Sequence, residues 1–329
     1  MQTMAIIGAG LAGITAARGL KGKAQIRLFE KSRGVGGRLA TRWADPFYFD
    51  HGAQFFKAHS PEFKAFLAPW IEQGLVARWD ARFVEINEGQ IQQQRQWDQF
   101  YPHYVGVPSM NTWAKAMAEG LDIQLNTRVD QLSRVDNTWQ LFDEQGACLG
   151  CFDWVIMAIP APQAQALLPE SVSFAQSVAK TQMLPCFSLM LGFDEPLPLP
   201  FDAALVRGVD ISWISVNSSK PGRAEPMTLL INSTNRWAGE HIDDDTETVI
   251  AHLCQETGQV IGQPVDHAVH QVIHGWRYAN LPKQNTSEPF LIDEQRQIAA
   301  CGDWLIQGRV NAAFTSGFEL ANRLLTQFD

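Results

Sequence analysis

Residues 4–7 are a short apolar run, a glycine-rich stretch interrupts it, and residues 11–20, rich in Ala, Leu and Arg, continue as a helix. Residues 26–30 read as a second strand that ends on Glu30. Strand, crossover helix and strand in quick succession predict a parallel pairing, which requires helices on both faces of the sheet. The pattern then predicts a strand at 47–49, a helix at 61–70, a strand pair within 74–88, and a helix at 109–118 capped by Ser109 or Asn111. Strands follow at 123–125, 139–142 and 154–159. The last of these is apolar on both faces and belongs in the middle of its sheet.

From Pro160 onward the character changes. Prolines punctuate the chain at 185, 196, 198 and 200, and the alternation in 188–193 and 227–232 predicts an antiparallel sheet. One helix is expected at 243–256, with Asp243, Asp244 and Asp245 in its first turn, where the helix dipole favours acids. A strand at 297–301 and an amphipathic helix at 312–325 return to the opening style. The expected fold class is therefore α/β. The chain is expected to divide into one part drawn from 1–60, 105–160 and 285–329 and a second α+β domain, on an antiparallel sheet, from 61–104 and 161–284.

Composition narrows the function classes. With 46% hydrophobic and 19% charged residues, 329 residues can bury one large core or two ordinary ones, which excludes disorder as the main state. Thirty-five acidic against 26 basic residues give a net charge of −9, which repels polyanions and argues against nucleic acid as a partner. No apolar run approaches the roughly 20 residues that span a bilayer, and the chain opens on a strand rather than a basic leader, so a soluble cytoplasmic protein is expected. Five scattered cysteines fit a reducing compartment. Eleven Trp against four Tyr demand either a core or a ligand surface.

The chemistry sits in three blocks. Gly8-Ala9-Gly10-Leu11-Ala12-Gly13 opens a helix directly after a strand. Its glycines permit a tight turn, let a pyrophosphate approach the backbone and allow close packing, while the helix N-terminus offers N–H groups to phosphate. Glu30 ends the next strand 17 residues after Gly13, where a carboxylate can accept from ribose hydroxyls. The second block is Lys31-Ser32-Arg33-Gly34-Val35-Gly36-Gly37-Arg38, followed by Asp50-His51-Gly52-Ala53-Gln54-Phe55-Phe56. The third is Cys301-Gly302-Asp303-Trp304, with Gly308-Arg309-Val310-Asn311-Ala312-Ala313 leading into the last helix.

Together these blocks resemble the flavin amine-oxidase superfamily, and within it the renalase-like branch, which implies that 1–60, 105–160 and 285–329 form a Rossmann-type FAD-binding domain. The resemblance implies non-covalently bound FAD, held by Gly8, Gly10, Leu11, Ala12, Gly13, Glu30, Lys31, Gly37, Arg38, Gly52, Ala53, Gln54, Val129, Gly302, Asp303, Arg309 and Val310. It also implies a dihydronicotinamide nucleotide as substrate: wrongly reduced isomers of NAD(P)H are oxidised to NAD(P)+ and dioxygen is reduced to hydrogen peroxide. A hydride donor of this kind needs little acid–base machinery. Gln54, Phe55, Trp213, Trp276, Arg277 and Tyr278 are the expected substrate-side residues, with Gln54 as a positioning amide and Arg277 as the partner of a phosphate or carboxylate. Oxidation of small amines is the alternative within enzymes, and a non-catalytic flavin or nucleotide sensor the alternative outside them. No metal is expected at Asp243–Asp245, at Cys148 and Cys151, or at His267, His270 and His274.

Overall fold

The computed structural model describes residues 1–223, 226–283 and 288–327. It divides into two compact units: Met1–Arg38, Ala114–Met183 and Leu281–Asp329 form the first, and Leu39–Trp113 with Leu184–Asn280 the second. The seams of these units differ from the expected ones. Residues 39–60 and 105–113 join the second unit, and 161–183 the first. The expected seam at 284/285 lies outside the described residues.

In the first unit, Thr3–Ile7 pairs in parallel with Gln25–Phe29 on one side and Trp154–Met157 on the other. Trp154–Met157 in turn pairs in parallel with Ile298–Cys301, and Phe290–Asp293 closes the edge antiparallel. Each residue of Trp154–Met157 is buried, as its two-sided apolar run predicts. The strand order turns outward in both directions from the first strand and Trp154–Met157, which makes the carboxyl ends of those two strands a topological switch point. Helices Leu11–Leu20 and Val310–Leu325 pack so closely that a Cβ on Gly317 would lie 2.2 Å from the Ala12 carbonyl oxygen. A Cβ on Gly19 would lie 2.7 Å from Ala321 Cβ, so the two helices run the same way.

The second unit is built on a seven-stranded sheet in the order His270–Asn280, Leu184–Phe193, Met227–Ser233, Ile211–Val216, Ala203–Arg207, Arg82–Asn87, Gln90–Gln96. Its pairings are antiparallel except that of Ala203–Arg207 with Arg82–Asn87, a parallel contact that local alternation does not reveal. Helix Thr246–Ile261 covers one face through Val249, Leu253 and Val260. Phe47 and Phe49 cover the other, against Met190 and Leu230. The strand pair expected within 74–88 does not form: Val76–Arg78 pairs with Tyr104–Gly106, and Arg82–Asn87 takes other partners. Helix 243–256 also shifts. Asp245 is its N-cap, accepting from Glu247 N and Thr248 N, while Asp244 pairs with His241 and Asp243 with Arg277. The three acids are thus individually occupied. His270 and His274 lie in the strand His270–Asn280, and His267 precedes it. Cys148 and Cys151 are exposed free thiols in the strand Cys148–Phe152.

Candidate functional site

At the switch point of the first unit the chain leaves Ile7 through Gly8, whose φ of +103° few other residues adopt, and whose Cβ would meet the Ala158 carbonyl oxygen at 2.6 Å. A Cβ on Gly13 would sit 2.2 Å from Gly8 O, so this glycine serves helix–strand packing. Gly10 differs: its backbone is extended and a Cβ there would meet nothing within 4 Å. Open space therefore faces the backbone at the start of helix Leu11–Leu20, and no side chain caps that helix. Its first N–H groups are left for a ligand. Leu11 and Ala12 are buried and shape the turn.

Glu30 is buried, with Oε2 accepting from Ala9 N at 2.9 Å and Oε1 from Ser32 N at 2.8 Å. The carboxylate thus ties both glycine loops together, and Gly36 N adds a bond to Ala9 O at 2.8 Å. Gly37 presses against Gly10, while Lys31 is exposed. Thr127 N donates to Glu30 O at 2.9 Å, which brings Val129, buried at the start of its strand, into the same region. Asp303 is buried and held by both terminal nitrogens of Arg38, with Nη1 donating to Oδ2 at 2.9 Å. Gly302 N donates to Ser316 Oγ at 2.7 Å, and Arg309 precedes helix Val310–Leu325 without a side-chain cap. An uncapped helix start, open space at Gly10, a ribose-ready acid and an Arg–Asp pair fit the demands of a dinucleotide. Trp304 is buried core, its indole donating to Ile159 O at 3.0 Å.

Gly52, Ala53, Gln54, Phe55, Trp213, Trp276, Arg277 and Tyr278 all fall in the second unit. Gln54 Nε2 donates to Asp50 O at 2.6 Å and Gly52 O at 3.0 Å, while Oε1 accepts from Ser215 Oγ at 2.8 Å and Lys220 Nζ at 3.2 Å. The amide expected to position a substrate is already saturated, and it shapes the turn that carries Gly52 and Ala53. Beneath it lies an ion cluster that sequence reading missed. Asp50 Oδ2 is 2.5 Å from Arg223 Nη2 and 3.6 Å from Lys220 Nζ, and the three side chains are 0, 1 and 0% exposed. Asp50 Oδ1 accepts from Thr41 Oγ1 at 2.7 Å and Met110 N at 2.9 Å, so this carboxylate, not Ser109, caps helix Met110–Ala118. Burial pushes the Asp50 carboxyl up, but Lys220, Arg223 and the Met110 N–H outweigh it and hold it below the usual range. Burial lowers Lys220 to about 8, against the pull of Asp50. The available signal was two cations astride a Pro-Gly turn, Lys220-Pro221-Gly222-Arg223.

Alternation in His270–Trp276 places His270, His274 and Trp276 on one face, and the register shifts between Trp276 and Asn280, the stretch that carries Arg277 and Tyr278. Arg277 is exposed there and paired with Asp243 at 2.5 Å. The expectation that Trp276, Arg277 and Tyr278 form one wall is corrected on that ground. His51 stacks on Trp276 at 5.4 Å, meets His274 edge-on at 5.1 Å, and accepts the Trp276 indole N–H at its carbonyl oxygen, 2.9 Å away. Burial first, then His274 and Arg42, lower His51 to about 4. Burial and Arg42 also lower His270 and His274. These imidazoles are neutral near pH 7, and His51 Nδ1 is buried without a hydrogen-bond partner. Beyond them, Phe55 packs against Trp97, His103 and Trp213 at 5.0, 4.9 and 5.5 Å. Burial, with Lys57 adding to it, lowers His103 to about 4.

Known proteins carry the same plan. A model of NAD(P)-binding Rossmann-like domains matches residues 6–70, and the model of flavin containing amine oxidoreductases matches residues 85–325. Among solved structures, a candidate protoporphyrinogen oxidase from Exiguobacterium sp. 255-15 superposes with a TM-score of 0.81 at 13% identity, covering 99% of both chains. A redesigned putrescine oxidase reaches 0.76 at 13% identity, and wild-type putrescine oxidase bound to putrescine 0.72 at 12%, each again covering 99% of both chains. At such identities the structures share the fold. Because the second family model spans well over half of its length, the chain belongs to the flavin containing amine oxidoreductases, as an FAD-dependent oxidoreductase.

Proposed function

We propose that the protein is a renalase-like oxidase of dihydronicotinamide nucleotides, returning wrongly reduced isomers of NAD(P)H to NAD(P)+ while dioxygen and a proton become hydrogen peroxide. FAD, when bound, supplies the hydride acceptor and the route of electrons to oxygen. In this reading the first unit holds it. Gly8, Gly10 and the helix start at Leu11 and Ala12 receive the pyrophosphate, Glu30 the ribose, and Arg38 with Asp303 and Val310 the remainder. Substituting Gly10→Ala separates holding from folding, since a Cβ there meets nothing within 4 Å in the protein. The variant is expected to keep its far-ultraviolet spectrum and lose no more than about 1 kcal/mol of apoprotein stability, while co-purified flavin, read at 450 nm, falls to near zero.

One observation carries the choice of substrate: the charge on the face formed by His51, His274 and Trp276. Arg42 acts on all three neutral histidines, and the acid acting on His51, Asp50, is neutralised by Arg223 and Lys220. A protonated amine is repelled by such a face. A nucleotide phosphate is attracted, and the neutral rings with Trp276 give a planar dihydropyridine surfaces to lie against. Tyrosines elsewhere in this unit are committed away from that face: Tyr48 stacks on Trp43, Tyr104 packs on Phe56, and Tyr101 is exposed.

The reading is tested by Arg42→Glu. KM for the phosphate-bearing isomer should rise roughly tenfold or more, the worth of about 1.4 kcal/mol, with kcat little changed. The corresponding dihydronicotinamide riboside, which lacks the phosphates, should lose far less. Equal losses for both substrates would remove Arg42 from phosphate recognition.

A further inference from the structure

A second cluster lies elsewhere in the seven-stranded unit and plays no part in the proposed oxidation. Helix Thr246–Ile261 presents His252 and Glu256, four residues apart and so on one side of the helix. Asp210 stands in the turn between Ala203–Arg207 and Ile211–Val216, after Gly208 at φ +83°, with its carbonyl fixed by Thr234 N at 2.7 Å. The ligand atoms of these three residues lie within 4.8 Å of one another. His252 Nε2 is 3.1 Å from Asp210 Oδ2, and Asp210 N donates to Glu256 Oε2 at 3.3 Å. The His252 ring is oriented by stacking on buried Trp237 at 4.7 Å and 9°. An open cavity bordered by Gly208, Val209, Asp210, Arg236 and Glu256 leaves access from solvent.

We propose that Asp210, His252 and Glu256 form a binding site for a first-row divalent cation, with Zn²⁺ as the best-suited probe, that clamps the 207–211 turn to helix Thr246–Ile261. One imidazole and two carboxylates are a donor set that such ions accept. Metal–ligand bonds of about 2.0–2.2 Å need donors about 3.3 Å apart. The His252–Asp210 spacing already meets this, and Glu256 needs only a side-chain adjustment. Two carboxylates neutralise the ion, and solvent completes the coordination. Arg236 competes for the site: its Nη2 lies 3.3 Å from Asp210 Oδ1, but its side chain is largely exposed and free to leave. Its removal should therefore strengthen metal binding, which a chance surface contact would not predict.

The test is calorimetric titration of the tag-free, FAD-loaded full chain with zinc chloride. Expected are one saturable Zn²⁺ per chain, weakening by roughly tenfold or more in both His252→Ala and Glu256→Gln, and tighter binding in Arg236→Ala. A Cys148→Ser/Cys151→Ser variant should bind as the unaltered protein does. No saturable binding, binding indifferent to His252→Ala, or binding lost with the two cysteines would each overturn the site.

Discussion

Asp50→Asn should destabilise the protein by about 3–5 kcal/mol, the cost of breaking a buried ion cluster from one side. Asparagine keeps the shape and can still accept from Met110 N and Thr41 Oγ1, so the helix cap survives. The charge does not survive. Arg223 and Lys220 are left facing each other in the interior, with Arg223 Nε already lacking a partner. The triple substitution Asp50→Leu, Lys220→Met and Arg223→Met should recover part of the loss, because an apolar set carries no uncompensated charge. Urea unfolding followed by tryptophan fluorescence reads both. A loss below about 1 kcal/mol for Asp50→Asn, the size of one ordinary hydrogen bond, would mean that the cluster is not what holds residues 41–54 against Asn217–Arg223. The same cluster gives an alkaline signature. Lys220, lowered to about 8 from 10.5, penalises the folded state while charged, so its contribution to stability grows as pH rises between those values.

Acid should weaken the fold well before carboxylates protonate. His51 and His103 both stand at about 4, below the ordinary 6.5. Above pH 6.5 both are neutral in the folded and unfolded chain and contribute no pH dependence. Between 6.5 and 4 the unfolded chain binds protons that the folded one refuses, so stability falls as pH falls, by roughly 3 kcal/mol at most for each histidine. Below 4 the effect levels off. His103→Phe keeps a ring against Trp97, on which His103 lies flat at 3.5 Å and 5°, and removes one of the two titrations. The slope of unfolding free energy against pH should then drop by close to one proton between pH 6.5 and 4. An unchanged slope would show that the stacked imidazole is not the group refusing its proton.

The parts of this molecule that were legible in the sequence are those in which one local segment does the whole job. Gly8 to Gly13 and Glu30 make a complete turn-and-acid device within one strand–helix–strand passage, and the apolar run at 154–157 announces its own central place. What escaped depends on partners far apart. Asp50 meets Lys220 and Arg223 across some 170 residues, and nothing near either cation advertises a carboxylate. Gln54 looked like a free amide because the four groups that saturate it include Ser215 and Lys220. Trp276-Arg277-Tyr278 reads as a patch in the sequence, but Arg277 is exposed and taken by Asp243, a partner 34 residues away. His51 and Arg42 sit in segments that were read for their glycines and aromatics, and their joint electrostatics emerged only with the sheet that carries His270 and His274.

The claim that this FAD oxidoreductase acts on dihydronicotinamide isomers is tested most directly by anaerobic reduction of the bound flavin. The yellow protein is mixed under argon with the 2- and 6-dihydro isomers of NADH and NADPH, with ordinary NADH, and with a panel of small amines, and absorbance is followed at 450 nm. Fast, complete bleaching by an isomer, slow or no bleaching by ordinary NADH and none by amines, with NAD(P)+ as product and peroxide on admitting air, is the predicted result. Bleaching by amines alone would hand the protein to the amine oxidases, and a flavin that no member of the set bleaches would leave it a binding protein without turnover.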